Sequence, residues 1–266
     1  ELLSFYSVTE LNVGFSIKSA TGGIIIYQYD GYDEDITVPS TIDGKTVIGL
    51  DTPVFLHGAS NSGIKIKKIT LPDTIQTIGN SVFSKLHELT TITIPKNVSK
   101  IGIYNFKEDE KLVSINVDSN NPYFTSEDGI LYNKDKTQIV GFPPGRNANY
   151  TGISTLTKIG EYSFYYAKNV KKVIIPESVK TIGEGAFAYS GVKEILFMGE
   201  KPEFGKDCFL GANITLLYEN ESSGSHAVIW VLVIIFIIII GLGIAWYLIR
   251  NKKLKGFSYK WDKLIS

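Results

Sequence analysis

Cysteine is almost absent from this 266-residue chain. The single residue, Cys208, excludes an internal disulfide framework, and no C-x-x-C pair is available to hold zinc. Cys208 stands just before Phe209, where a small buried side chain fits best. Histidine is nearly as scarce, with only His57, His87 and His226. Neither His57 nor His87 has a second ligand at metal spacing, so both read as surface residues. The sequence contains no G-x-S-x-G and no H-E-x-x-H, so nothing points to an enzyme, a metal or a cofactor.

Net charge is also lacking: 27 basic side chains balance 27 acidic ones. The balance hides an asymmetry. Residues 250–266 carry six Lys/Arg and one Asp, a surplus of +5, which leaves 21 basic and 26 acidic residues, or −5, for residues 1–249. The basic block adjoins a long apolar run, so it argues for a membrane and against nucleic acid as the partner. A basic start followed by an apolar run is missing from the first 25 residues, and the chain opens on Glu1. It reads as a processed or truncated product.

From Ala227 to Ile249 there are 23 residues without a charge. As a helix they would span roughly 34 Å, slightly more than a hydrocarbon core of about 30 Å. Trp230 near one end and Trp246 and Tyr247 near the other suit the membrane interface. A buried core helix of this length would show a polar face. The tail signal of a lipid anchor would not be followed by Arg250, Lys252, Lys253 and Lys255. These cations place the C-terminus in the cytoplasm by the positive-inside rule. The expected organisation is an ectodomain over 1–218, a linker over 219–226, a single transmembrane helix over 227–249 and a basic tail over 250–266, in the plasma membrane. Gly241 and Ala245 have the small-xxx-small spacing used in helix pairing, although lipid-facing small residues are the favoured explanation. The tail interleaves its cations with Phe257, Tyr259 and Trp261. It serves as a stop-transfer anchor or lies against anionic lipid.

The ectodomain is repetitive. Ile69–Phe83, Ile92–Phe106 and Val173–Phe187 share the pattern I-x-[IL]-P-x-x-[IV]-x-x-I-G-x-x-x-F. Pro72 to Pro95, Gly79 to Gly102 and Gly160 to Gly183 are each 23 residues apart. A degenerate first copy holds Pro39, Ile48, Gly49 and Phe55, and a last one holds Phe204, Gly205 and Phe209. Six copies result, two of them imperfect and one interrupted. In Leu89–Ile94, alternate apolar side chains point inward and Thr91 and Thr93 outward, as a strand requires. Proline then ends the strand. Gly102 marks either a positive φ or a close backbone approach. One coil cannot bury its apolar side alone, so the copies must stack into a solenoid with short parallel strands along one face.

These motifs resemble the BspA-like leucine-rich repeats, a family of surface proteins from bacteria and parasitic protists. The likeness covers about residues 12–218. It includes Asn121–Gly145, which looks like a hairpin insert of that family, placed here within about 118–150. Ile130–Tyr132 and Ile139–Phe142 would be its two strands, joined by Asn133–Lys136. The resemblance implies adhesion or recognition at a cell surface, with no catalytic residues.

Two outward columns are expected on the strand face. One runs through Asp35, Lys68, Thr91, Ser114, Lys172 and Glu194, the other through Thr37, Thr70, Thr93, Asn116, Ile174 and Leu196. Lys172, Ile174, Glu194, Leu196, Thr93 and Asn116 are the candidate binding residues, for an extracellular protein or glycan. The face is expected to run continuously across the repeats and to turn apolar at Ile174 and Leu196. The exposed hairpin is the rival surface. A non-enzymatic shielding coat with no particular ligand is the alternative to an adhesin. Four N-x-S/T sequons, at Asn97, Asn149, Asn213 and Asn220, are glycosylation candidates.

Overall fold

The computed structural model describes residues 14–55 and 65–219. The expected transmembrane segment and tail, the expected linker beyond Glu219, Asn220 and His57 lie outside these residues. No helix among the described residues is long and apolar enough to cross a membrane.

Strands are numbered in chain order. The chain enters through an antiparallel hairpin, β1 (Phe15–Ala20) and β2 (Gly23–Tyr29). β2 then pairs in parallel with β5 (Lys45–Leu50), which the two-residue β4 (Thr41–Ile42) flanks. Among the described residues the stack begins on this hairpin, which is not itself a repeat.

Two sets of strands build the coils. The first set opens each coil: β3 (Asp35–Thr37), β6 (Lys68–Thr70), β8 (Thr91–Ile94), β10 (Ser114–Val117), β14 (Tyr150–Thr151), β16 (Lys172–Ile175), β18 (Glu194–Phe197) and β20 (Thr215–Tyr218). The second set follows the turn after β6, β8, β14, β16 and β18, which carries a proline except before β15: β7 (Thr77–Ile78), β9 (Lys100–Ile101), β15 (Lys158–Ile159), β17 (Thr181–Ile182) and β19 (Glu203–Phe204). Where successive members are hydrogen-bonded they pair in parallel, with partners one coil apart. Proline lies directly or one residue beyond β6, β8 and β16, as expected from its missing N–H.

The repeat glycine is explained by the stacking. Gly102 and Gly183 donate their N–H groups to Ile78 and Ile159 of the preceding coil at 2.8 Å, and Gly205 donates to Ile182 at 2.7 Å. A Cβ on Gly102 would stand 2.7 Å from the Gly79 carbonyl, and one on Gly205 would stand 2.5 Å from the Glu184 nitrogen. Close approach between coils is therefore the reason. Positive φ falls two residues later, at Ser81, Tyr104, Tyr162, Gly185 and Asp207.

The repeat phenylalanines form a spine of rings. Phe55, Phe83 and Phe106 stack at 6.1 and 6.2 Å. Phe142, Phe164, Phe187 and Phe209 stack at 4.6, 4.8 and 6.1 Å. Between Phe106 and Phe142 the spine is interrupted, and the buried side chains divide there into two clusters. The insert lies at this break. It has three strands rather than two: β11 (Phe124–Glu127), β12 (Ile130–Asn133) and β13 (Gln138–Gly141), all antiparallel to their neighbours in the insert. β13 also pairs in parallel with β15, and Gly160 donates to Ile139 at 3.0 Å. Ile139 and Phe142 thus take the places of a repeat isoleucine and phenylalanine. The 58 residues from Gly102 to Gly160 hold two coils, one of them enlarged, rather than one coil and an excrescence.

Candidate functional site

The outward columns exist, but in separate pieces. β3 pairs only with β6, β8 with β10, and β14, β16, β18 and β20 form a four-stranded sheet of their own. The face is therefore not one hydrogen-bonded sheet. After β10 the insert takes over: Gly129 accepts the Ile115 N–H at 2.8 Å, and Ser126 Oγ accepts the Val117 N–H at 3.1 Å. Thr93 and Asn116, both exposed, face each other across β8 and β10. They do not share a sheet with the other four candidates.

Those four do meet. Lys172 pairs with Glu194, and Ile174 with Leu196. Lys172 Nζ lies 2.5 Å from the Glu194 carboxylate, with both side chains partly exposed, so the pair contributes little to stability. Ile174 and Leu196 are half-buried rather than exposed. Leu217 of β20 continues their row and is 39% exposed. It was not among the residues singled out from the sequence. The row is apolar where the equivalent rows carry Thr37–Thr70 and Thr93–Asn116.

The insert offers less exposed aromatic surface than its composition suggested. Tyr132 and Phe142 are buried, Phe124 packs on the first core cluster, and only Tyr123 stands out, at 52% exposed. Asn133 secures the hairpin tip, accepting from the Gln138 N–H and donating to Thr137 Oγ1, both at 2.8 Å. Asn97, Asn149 and Asn213 are exposed. Asn97 Nδ2 donates to the Asp73 carbonyl, and Asn149 Oδ1 accepts the Lys172 N–H. Cys208 is buried, which pushes its thiol up to about 11.

A second feature was missed in the sequence. Tyr104, Tyr162, Tyr165, Tyr166 and Tyr189 form a chain of ring contacts along the turns after the second strands. The centroids of Tyr104 and Tyr162 are 4.1 Å apart, those of Tyr104 and Tyr165 5.2 Å, and those of Tyr165 and Tyr189 5.8 Å. Lys107 lies 5.5 Å from the Tyr166 centroid and Lys168 4.7 Å from it. The Tyr162 hydroxyl donates to Glu184, and this bond, with a further one to Tyr104, raises its ionisation well above the usual phenol range. The signal was available: Tyr166 and Tyr189 are 23 residues apart, and Tyr104 and Tyr162 both stand two residues after a repeat glycine.

The six-copy model of the BspA type leucine rich repeat region matches residues 59–153 and 145–216. The chain belongs to this family. No curated protein matches it. Among solved structures, a leucine-rich repeat protein from Eubacterium ventriosum is 23% identical, with a TM-score of 0.50 over 78% of this chain and 71% of its own. The leucine-rich repeat protein of T. pallidum is 21% identical, with a TM-score of 0.50 over 76% and 88%. Both likenesses concern the fold: the BspA-type solenoid of stacked parallel strands.

Proposed function

We propose that this chain is a cell-surface adhesin or recognition protein. Residues 227–249 hold it in the bilayer with residues 1–218 outside, and the solenoid binds an extracellular protein on its C-terminal strand sheet. The row Ile174–Leu196–Leu217 carries this reading. Three apolar side chains in register, on the outward side of a rigid sheet, leave hydrocarbon in water where the other coils place threonine and asparagine. Such patches mark interaction surfaces. An aliphatic row suits a protein partner better than a glycan, and the flanking Lys172–Glu194 pair supplies the polar rim of such an interface. Family membership supports a binding scaffold, and the repeat motif brings no nucleophile or acid–base pair.

The test uses a soluble fragment of residues 1–222 on intact cells and on extracellular matrix. Wild type should bind saturably and compete with itself. Leu196→Ser with Leu217→Ser should abolish binding, while Tyr123→Ser on the insert should leave it intact, provided both variants keep wild-type unfolding midpoints. The opposite pattern would move the site to the insert. Binding that never saturates would favour the alternative, a shielding coat protein.

A further inference from the structure

The break in the phenylalanine spine leaves a pocket of about 230 Å³ between the two halves of the stack. Its lining includes Tyr104, Tyr162 and Tyr165 from the tyrosine chain, with Lys107, Gln138 and Ser163. Phe106 and Phe142, the two rings that face the break, also line it. We propose that this pocket binds one neutral sugar ring, as the terminal unit of a glycan.

Four observations lead there. The first is size: typical small-molecule sites run from roughly 300 to 1,000 Å³, so this one takes a single ring rather than an extended ligand. The second is the wall. Tyrosines present a flat apolar face, on which the C–H face of a pyranose lies; the Tyr162 hydroxyl is engaged with Glu184 and Tyr104, so the sugar's oxygens would be met by the other lining side chains. The third is the polar complement. Gln138 brings a donor and an acceptor, Lys107 donors and Glu161 acceptors, which matches a ring of hydroxyls that both give and accept. The fourth is Ser163. It is 3% exposed, and its Oγ has no hydrogen-bond partner among the described residues. A buried hydroxyl left unpaired is costly; its Oγ is closed off in the ligand-free pocket, so the side chain would turn about χ1 to meet a ligand hydroxyl there. The equivalent positions of neighbouring copies hold Val82, Ala186 and Cys208, so the fold does not need a hydroxyl there.

Other ligand classes fit less well. An organic cation would compete with Lys107, which already lies 5.9 Å from the Tyr165 centroid and 5.5 Å from that of Tyr166. An acidic group would find Lys107 neutralised by Glu108 at 3.3 Å, with Glu161 also in the lining. The pocket lies beside β9, β13 and β15, not on the strand sheet of the proposed protein interface, so the two readings stand or fall separately.

The experiment displays the full-length chain on cells and probes it with a panel of immobilised neutral oligosaccharides ending in hexoses or N-acetylhexosamines. Free monosaccharides serve as competitors at millimolar concentration. Wild type should retain a subset of the panel, and the matching monosaccharide should release it. Ser163→Val and Tyr104→Ala should each lower retention at least tenfold. Ser163→Val should do so while unfolding at a higher urea concentration, because it places the valine of the second repeat where an unpaired hydroxyl stood. A merely structural serine would show the stability gain without the binding loss. Leu196→Ser with Leu217→Ser should leave sugar retention unchanged. The proposal is overturned if wild type retains no neutral saccharide. It is equally overturned if both pocket variants bind as wild type does, or if the strand-sheet variant is the one that loses the sugar.

Discussion

Replacing Asp109 by asparagine probes the charge state of a carboxyl that the fold has enclosed. Asp109 is the one buried carboxyl among the described residues. Its Oδ1 accepts the Leu86 N–H at 2.8 Å, across the 23-residue step, and its Oδ2 has no partner there. Burial drives its ionisation well above the carboxylate range. The Leu86 bond opposes this without reversing it, and neighbouring Glu108 adds to the rise. In the unfolded chain the group titrates near pH ~3.9. Between that pH and the raised native value the folded state holds a proton that the unfolded state has released. Stability is therefore fully present below about pH 4 and falls as pH rises, by up to about 1.4 kcal/mol per pH unit, until the native carboxyl ionises. The Asp109→Asn amide would keep an acceptor for Leu86 and have no proton to lose. The two proteins should agree within about 1 kcal/mol at pH 4, since the neutral acid and the amide are nearly isosteric and make the same bond. The variant should then become progressively more stable than wild type with each unit of pH. Urea unfolding of residues 1–222, followed by circular dichroism from pH 4 to 7, measures the difference. A gap that stays constant with pH would show that the carboxyl ionises normally. A variant that weakens further as pH rises would show that the fold requires the carboxylate.

The spine makes two further outcomes quantitative. Ile182→Ala, at a site 1% exposed, should cost about 2–5 kcal/mol in the same urea assay, and unchanged midpoints would refute its place in the core. Phe187→Ala should cost more than Phe106→Ala within the range of about 3–5 kcal/mol, because Phe187 has stacked rings on both sides while Phe106 has one on one side only and lines the pocket. The proposed topology predicts that protease added to intact cells removes residues 1–218 and spares an epitope in 250–266; cleavage of that epitope from outside would reverse the orientation.

Positions whose chemistry repeats were legible. Proline, isoleucine, glycine and phenylalanine at a 23-residue step require a stack of coils, and each has the role that its chemistry demands. The glycine admitted two explanations, and the structure selects close approach between coils. Positive φ was hidden because in the copies with Ser81, Tyr104 and Tyr162 it falls on residue types that do not announce it, and only Gly185 and Asp207 hint at it. The strand columns could be listed but not their division into sheets, which depends on where the insert sits beside β10. The tyrosine chain was overlooked because its members occupy turn positions, where aromatic residues obey no strand or helix period. Only alignment of the copies on their glycines brings Tyr104 onto Tyr162 and Tyr166 onto Tyr189.

β12 explains how one insert both joins and parts the solenoid. Successive side chains of a strand point to opposite faces. Along Ile130, Leu131 and Tyr132 all three are buried, yet Leu131 belongs to the first core cluster, and Ile130 and Tyr132 belong to the second. A strand of an ordinary coil buries one face; this one is buried on both, against different halves of the stack. The joint in the core therefore runs through β12, with the Tyr104–Tyr162 contact at the turns, while the phenylalanine ring-on-ring contact that links other coils is missing between Phe106 and Phe142. Gly141 approaches Phe106 instead: a Cβ there would stand 2.9 Å from its ring. Because coils in a solenoid interact mainly with their neighbours, the stack tolerates such a substitution of one contact for another without losing the order of either half. The insert spends Tyr132 and Phe142 on this bracing, which is why so little of its aromatic surface remains for a partner. The cavity is the geometric remainder of a joint made by a strand where the rest of the molecule is joined by stacked rings.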